Sequence, residues 1–202
     1  MEEELLANLG GSFDPPGIHH FWMAVQVLRR GFRQVITPCG IRPEPEKSHL
    51  IMTPPHHRAE MVRLTFEILL LGDTVRLDLF DLENEIFTRT CNLQKRYESE
   101  GEVWHVVGSD LIQKDQFGLS PIQRYWENGP EIWEQYNFAI FLRPNHPINP
   151  GDTPIHSMIL GQSLCGSSTE IRRRIAAGES IDDLVMPKVA GYIYEHGLYR
   201  PE

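Results

Sequence analysis

The segment from Gly10 to His20 combines residue types that bind anions. It reads Gly-Gly-Ser-Phe-Asp-Pro-Pro-Gly-Ile-His-His and follows a short apolar run. Paired glycines let main-chain N–H groups approach a phosphate closely, and a helix that starts after them adds the positive end of its dipole. A histidine in the first turn of that helix can donate a hydrogen bond to the same anion. Glycine pairs alone also occur in plain turns between a strand and a helix, so the neighbouring residues must decide between the two interpretations.

The order of residues in this segment favours a phosphate-binding site. Gly11-Ser12-Phe13-Asp14-Pro15 followed by His20 resembles the GxFDPxHxGH signature of the nicotinate/nicotinamide mononucleotide adenylyltransferases, a family of the nucleotidyltransferase superfamily. Other segments resemble motifs of this family in the family's own order, and the resemblance spans residues 10 to 199. These segments are His57-Arg58 with Met61, Gly108-Ser109-Asp110, Ser167-Ser168-Thr169-Glu170-Ile171-Arg172 and Val189 to Tyr199.

One position departs from the signature. The first histidine of HxGH falls on Gly17 and the glycine falls on His19, so that only His20 is retained. Two interpretations are open: His19 supplies the missing donor from a shifted position, or triphosphate binding is weakened.

The resemblance implies that a mononucleotide 5′-phosphate attacks the α-phosphorus of ATP and that pyrophosphate leaves. The nucleophile is already ionised near neutral pH, so catalysis consists of aligning two anions and stabilising charge on the leaving group. N–H groups, histidine, arginine, lysine and Mg²⁺ brought with ATP suffice for this chemistry. The implied partners are ATP and nicotinate mononucleotide.

The resemblance also implies a role for individual residues. His20 and Arg172 are expected to act on the triphosphate in catalysis, and Thr90 and Trp126 to contact the pyridine mononucleotide. Asp14 is expected to shape the turn. The residues expected to bind ATP and its phosphates are Gly11, Ser12, Phe13, His19, Lys47, Gly108, Asp110, Ser168 and Thr169.

Several of these residues also have plain structural interpretations. Arg172 begins an Arg-Arg-Arg run of a kind that usually faces solvent, and that interpretation is adopted for the second and third arginines. Asp110 is also suited to cap the helix that follows it. Trp126 either stacks on the pyridine or packs in the core, and Trp133, placed seven residues later on the same predicted helical face, is assigned to the core. Arg89 is interpreted as an exposed arginine at a helix start.

These residues need a scaffold, and the alternation of apolar runs with amphipathic stretches predicts one. It indicates an α/β fold: a single domain over residues 1–202 with a Rossmann-like, doubly wound parallel sheet. Loops are expected at 41–55 and 113–130. Strands are expected at 5–9, 34–37, 74–79, 103–107, 138–142 and 158–160, and helices at 20–30, 58–71, 90–100, 169–177 and 187–196.

Composition narrows the class further. With 19 Lys and Arg against 28 Asp and Glu, the chain carries a net charge of −9, which disfavours nucleic acid as a partner. Its apolar runs are too short to span a membrane. Its three cysteines lie too far apart for a CxxC motif, and an acidic start argues against export, so we expect a cytoplasmic protein. The nine histidines do not indicate a protein-bound metal, and a homo-oligomer stays open.

Two other functions fit the same residues. A related nucleotidyltransferase could use another phosphorylated acceptor or CTP, and a degenerate nucleotide-binding protein could have lost turnover with the first signature histidine. Four signature residues argue against the degenerate form because they are retained: His20, Ser168, Thr169 and Arg172. The chain lacks a large central insertion and in this respect resembles the bacterial-type members of the family. This resemblance implies a preference for nicotinate over nicotinamide mononucleotide.

Overall fold

A computed structural model describes residues 4–41, 53–149 and 151–201. Six strands form one sheet in the order β3-β2-β1-β4-β5-β6, and the pairs β1·β4, β4·β5 and β5·β6 are parallel. This order is that of Rossmann-type folds, which confirms the α/β prediction. The strands are β1 (Leu5–Gly11), β2 (Arg33–Pro38), β3 (Val75–Leu77), β4 (Glu102–Gly108), β5 (Asn137–Leu142) and β6 (Ser157–Gln162).

The helices lie between these strands and after the last of them. They are α1 (Ile18–Arg29), α2 (Pro55–Phe66), α3 (Phe80–Glu83), α4 (Thr90–Tyr97), α5 (Pro121–Tyr125), α6 (Gly129–Gln135), α7 (Ser168–Ala176) and α8 (Pro187–Glu195). Short 3-10 helices lie at Leu69–Leu71, Glu98–Glu100 and Ser109–Leu111.

The chain forms two compact units. The first contains residues 1–10, 23–35 and 88–163, and the second contains 11–22, 36–87 and 164–202. The single-domain assignment stays a prediction.

The first unit has its core around β4 and β5. Val107 and Phe138 pack with Ile122 and Ile132 from α5 and α6, and a second cluster surrounds the buried Tyr97. The register of β4 and β5 runs from Trp104 opposite Asn137 to Gly108 opposite Phe141. The carboxyl end of β4 thereby leads directly into the Gly-Ser-Asp segment.

The second unit has its core between α2, α7 and α8. Met61 of α2 packs against Ile171 of α7 and against Val189 and Ile193 of α8, and all four side chains are fully buried. These contacts explain the apolar spacing of three and four residues within these helices. They also fix the helix that carries the Ser-Ser-Thr motif.

Two predicted segments were wrong. The helix predicted over 58–71 ends at Phe66, and Leu71 is 83% exposed, because none of the described elements covers the apolar positions that continue the pattern. The segment predicted as a loop over 113–130 contains α5. Ser120 caps α5 through a reciprocal pair of bonds with Gln123, a capping signal that the glycines and prolines around it obscured.

None of the helices within the described ranges combines the length and apolarity that crossing a bilayer requires.

Candidate active site

The β1–α1 loop (residues 12–17) lies in the second unit and is largely buried. Phe13 adopts a left-handed backbone conformation with φ of 45° and is 1% exposed. Its ring is packed edge-on against Phe66 of α2 and against His20, with ring centroids 6.0 and 4.9 Å apart. Burial of the aromatic ring holds the backbone in a conformation that is rare for a residue with a side chain.

Three donors hold the carbonyl groups of this loop. Arg58 Nη1 donates to the Ser12 carbonyl at 3.1 Å, Arg172 donates to the Asp14 carbonyl, and Ser168 Oγ donates to the Pro15 carbonyl at 2.8 Å. The N–H of a trans peptide points away from its carbonyl oxygen. The bond to Ser12 therefore turns the Phe13 N–H to the opposite side of the chain, where it can meet an anion.

Arg58 was given no role by the sequence analysis. Its side chain is 1% exposed, and its guanidinium donates to four main-chain carbonyls. The planar guanidinium carries five N–H donors in a fixed arrangement, so it can hold several chain segments at once. The resemblance of His57-Arg58 to a family motif is the sequence signal that could have pointed to a role for Arg58. The acceptors are the carbonyls of Thr53, Ser12, Cys39 and Gly40.

His20 is oriented by its own helix start. The N–H of Gly17 donates to Nδ1 of His20 at 3.0 Å. Because Nδ1 accepts, the neutral imidazole carries its proton on Nε2. This tautomer gives His20 a hydrogen-bond donor at the far side of the ring, as the predicted contact with ATP phosphates requires.

His19 occupies the space in which a side chain at position 17 would lie. A Cβ added to Gly17 would be 2.5 Å from Nδ1 and 2.6 Å from Cε1 of His19. The His19 ring is 3% exposed and lies 3.9 Å from the His20 ring, centroid to centroid. The exchange of glycine and histidine relative to the family signature therefore leaves an imidazole beside position 17.

The predicted Ser-Ser-Thr motif opens α7. Ser167 caps the helix by accepting the Glu170 N–H at 3.1 Å, so that Ser168 and Thr169 lie in the first turn, where free N–H groups are found. The hydroxyl of Ser168 is engaged with the loop, which leaves its N–H for the predicted phosphate contact. Arg172 extends toward the loop and also donates to Thr169 Oγ1 at 3.3 Å.

The two arginines after Arg172 face outward, as predicted. Arg173 is ion-paired with Glu170 and Glu179, and Arg174 with Glu170 and Asp183. The hydrogen bonds from Arg173 and Arg174 hold the pKa of Glu170 well below its usual range, at about 2. Arg172 differs from its neighbours because its guanidinium contacts the β1–α1 loop instead.

Gly108 and Asp110 meet in the first unit, together with Arg143. A Cβ on Gly108 would lie 2.5 Å from Arg143 Nε, so only glycine allows this approach. Asp110 Oδ1 is 3.0 Å from the same Nε, close enough for an ion pair. The N–H of Arg143 is not aligned with that buried oxygen, which accepts no hydrogen bond from the described residues. Asp110 lies inside a 3-10 helix capped by Gly108, so its interpretation as a helix cap was wrong.

The residues assigned to the pyridine also lie in the first unit. Thr90 is the first residue of α4, and Arg89 before it is partly exposed and ion-paired with Glu127 at 3.3 Å. Trp126 is half-buried against the core cluster, while Trp133 is buried in it as predicted. Asn128, with a left-handed backbone conformation, separates the two tryptophans, so the prediction that they share one helical face was wrong. Lys47 lies outside the described residues.

A glycine-containing loop after a parallel strand, two imidazoles and a helix start are typical of an α/β protein that binds nucleotide phosphates. The sequence profile of the cytidylyltransferase-like family matches residues 8–174. The chain belongs to this family.

The relatives of this chain extend over nearly its whole length. The nicotinate-nucleotide adenylyltransferase of Bacillus subtilis (strain 168) is 27% identical over 196 residues, covering 95% of this chain and 96% of the relative. A protein of Roseiflexus sp. (strain RS-1), described as a probable nicotinate-nucleotide adenylyltransferase, is 30% identical over 210 residues, covering 99% and 100%.

A solved structure shares the fold. The nicotinic acid mononucleotide adenylyltransferase of Plasmodium falciparum, complexed with NaAD, superimposes with a TM-score of 0.72 at 22% identity, covering 97% of each chain. At this identity the likeness shows the fold alone.

Proposed function

We propose that this protein is a nicotinate-nucleotide adenylyltransferase. It joins the AMP part of ATP to nicotinate mononucleotide, so that an oxygen of the mononucleotide phosphate bonds to the α-phosphorus while the bond to the β-phosphate breaks. The products are nicotinate adenine dinucleotide and pyrophosphate, and the reaction serves NAD biosynthesis. The relatives that match over at least 95% of this chain are named for this activity.

The observation that carries the proposal is the attachment of α7 to the β1–α1 loop. Ser168 and Arg172 both donate to carbonyls of this loop, so the start of α7 lies against the loop that carries Phe13 and leads into the two histidines. The N–H groups of a helix start and a guanidinium are donors that phosphate oxygens accept. They are held before the ligand arrives, so little reorganisation opposes charge development on the leaving group.

Within this proposal, His20 donates from Nε2 to the phosphates, and Arg172 compensates the charge that builds up on pyrophosphate. His19 contributes a second imidazole. Gly108 and Asp110 take the ATP ribose, since a buried carboxylate oxygen without a hydrogen-bond donor suits a hydroxyl group.

Mg²⁺ is also part of the proposal, and it would neutralise phosphate charge. Within 4–41, 53–149 and 151–201, no three His, Cys, Asp or Glu side chains converge on a point that could hold a metal. Mg²⁺ is commonly bound through substrate phosphates with few protein ligands. We propose that the ion arrives with ATP, bound to its phosphates.

We place the reaction in the cytoplasm. Cys39, Cys91 and Cys165 are all free of disulfide bonds, as is usual for proteins of a reducing compartment. The net charge of −9 supports small nucleotides rather than nucleic acid as partners.

A pyrophosphate-release assay tests the function. ATP is offered with nicotinate mononucleotide, nicotinamide mononucleotide and a non-pyridine phosphorylated acceptor, and CTP is offered with the same three acceptors. Release with ATP and nicotinate mononucleotide is expected. Release only with CTP or with the non-pyridine acceptor would assign another nucleotidyltransferase activity, and ATP binding without release would indicate a degenerate binding protein.

A further inference from the structure

The chain turns back toward the β1–α1 loop after α8. Helix α8 ends at Glu195, the Leu198 N–H donates to the Ile193 carbonyl at 3.1 Å, and Gly197 adopts a left-handed φ of 60°. Tyr199 is also left-handed, with φ of 63°. A tyrosine is costly in this conformation and retains it only where its surroundings impose it.

The contact that Tyr199 makes there is with the loop itself. Its hydroxyl donates to Asp14 Oδ1 at 2.7 Å. Burial and the neighbouring Asp14 carboxylate raise the pKa of Tyr199 well above its usual value, so its hydroxyl keeps its proton and remains a donor. The ring packs against the core of the second unit.

Asp14 contacts several segments that are distant in sequence. Its side chain is 6% exposed, and its Oδ2 accepts the Thr53 N–H at 3.3 Å. Its carbonyl accepts from Arg172, the arginine assigned to the triphosphate. The orientation of the Asp14 side chain is therefore coupled both to the loop backbone and to the Arg172 guanidinium.

We propose that Tyr199 is a positioning residue for ATP, acting through Asp14 on the β1–α1 loop and on Arg172. This inference rests on the proposed function, because it concerns the same phosphate site. Tyr199 does not touch the reacting atoms; its hydroxyl limits Asp14 to one orientation and thereby keeps the Phe13 N–H and Arg172 in place. Hydrogen bonds to a charged acceptor are strong enough for such a role.

Tyr199→Phe tests this proposal with the smallest change available. It removes only the hydroxyl and keeps the ring in the core. Tyr194→Phe is the matched control, since Tyr194 lies in the last turn of α8 and its hydroxyl accepts the Ile181 N–H at 3.4 Å rather than contacting the loop. Calorimetry measures the Kd for ATP, steady-state kinetics the two KM values and kcat, and thermal unfolding Tm.

Tyr199→Phe is expected to raise the Kd and the KM for ATP about tenfold, while the KM for the mononucleotide stays within twofold. Its Tm is expected to fall by a few degrees, because the buried Asp14 carboxylate loses a donor. Tyr194→Phe is expected to leave the Kd and both KM values within twofold of wild type. Equal ATP affinity in Tyr199→Phe and wild type would overturn the proposal. An equal rise in both KM values would also overturn it, because that pattern marks a merely structural tyrosine.

A double-mutant cycle with Asp14→Ala tests the route of the effect. If Tyr199 acts through the carboxylate, Tyr199→Phe has no further effect on ATP affinity in the Asp14→Ala background. If the losses of ATP affinity in Tyr199→Phe and Asp14→Ala multiply in the double variant, this route is refuted. If Asp14→Ala does not fold, the comparison of Tyr199→Phe with Tyr194→Phe still tests the proposal.

The proposed function can fail separately: wild-type protein that binds ATP but releases no pyrophosphate overturns the function alone. Wild-type protein that binds neither ATP nor inorganic tripolyphosphate overturns both.

Discussion

Exchanging the residues at positions 17 and 19 gives the sharpest test of the candidate site. A Cβ on Gly17 would be 2.5 Å from His19 Nδ1, about 0.9 Å closer than the 3.4 Å at which ordinary contact begins. Gly17→His alone must therefore expel the buried His19 ring, and overpacking of this kind costs about 1–3 kcal/mol. His19→Gly alone removes one imidazole and leaves a cavity, and losing a donor to a charged group costs about 1.5–3 kcal/mol.

For His19→Gly this energy corresponds to a loss in kcat/KM of roughly 10- to 150-fold. For Gly17→His, the overpacking energy is expected to lower Tm, and displacement of the His19 ring is expected to lower kcat/KM as in His19→Gly. The double variant, Gly17→His with His19→Gly, is expected to recover to within about fivefold of wild type, because each change provides the space or the ring that the other removes. Pyrophosphate release with ATP and nicotinate mononucleotide measures all four proteins, with Tm recorded beside each rate.

Gly17→Ala and Gly191→Ala provide the matched control for the steric part. Both add one methyl group, but a Cβ at Gly191 meets no atom within 4 Å. Only Gly17→Ala is expected to lower Tm, and much less so in the His19→Gly background, where the Leu184 carbonyl at 3.1 Å is the remaining close neighbour. If the kcat/KM losses of Gly17→His and His19→Gly multiply in the double variant, the two positions do not compensate each other and the prediction is refuted. A His19→Gly variant with wild-type kcat/KM would also refute it.

Four further outcomes are expected. His20→Ala should lower kcat about a hundredfold at unchanged Tm, since it removes a donor to developing charge; a kcat within threefold of wild type would disprove the role. Arg172→Ala should weaken ATP binding by about 2 kcal/mol in calorimetry, and an unchanged Kd would assign Arg172 to the loop structure alone. Nicotinate mononucleotide should show the higher kcat/KM, because the N–H groups that open α4 at Thr90 suit a carboxylate, which only accepts; an equal or amide-favouring ratio contradicts this. Burial lowers the pKa of His105 to about 4. As the pH falls below 6.5, this histidine therefore takes up a proton in the unfolded chain but stays neutral in the folded protein until about pH 4. The free energy of unfolding should therefore fall by about 3 kcal/mol between pH 6.5 and 4 relative to His105→Gln, and parallel urea-derived stability curves for the two proteins would count against it.

The strands were predictable because burial leaves a simple pattern in sequence. The run Val103 to Val107 is apolar or aromatic at most positions and ends at a glycine, and it forms the centre of β4. Helix α5 was missed because its five residues are too few to display a period of 3.6, and its capping residues are polar ones that also occur in loops.

The candidate site was predictable where one short segment provides it and unpredictable where distant segments meet. Ser168 and Thr169 follow their helix cap directly, so the motif itself locates them at the start of α7. Arg58 and Tyr199 lie 46 and 185 residues from the loop atoms they hold. Nothing in the local pattern around either residue indicates a partner at that separation, since hydrogen-bond pairing depends on tertiary packing alone.

The positions of Gly17 and His19 show what a short signature specifies. Its letters describe an order along the chain, whereas a phosphate responds to where donors lie in space. The chain bends tightly enough at the start of α1 for the Gly17 N–H to reach the His20 ring, and the His19 ring lies beside position 17. We therefore expect His19 to serve the phosphate in place of the first signature histidine, and the kcat/KM of His19→Gly tests this expectation.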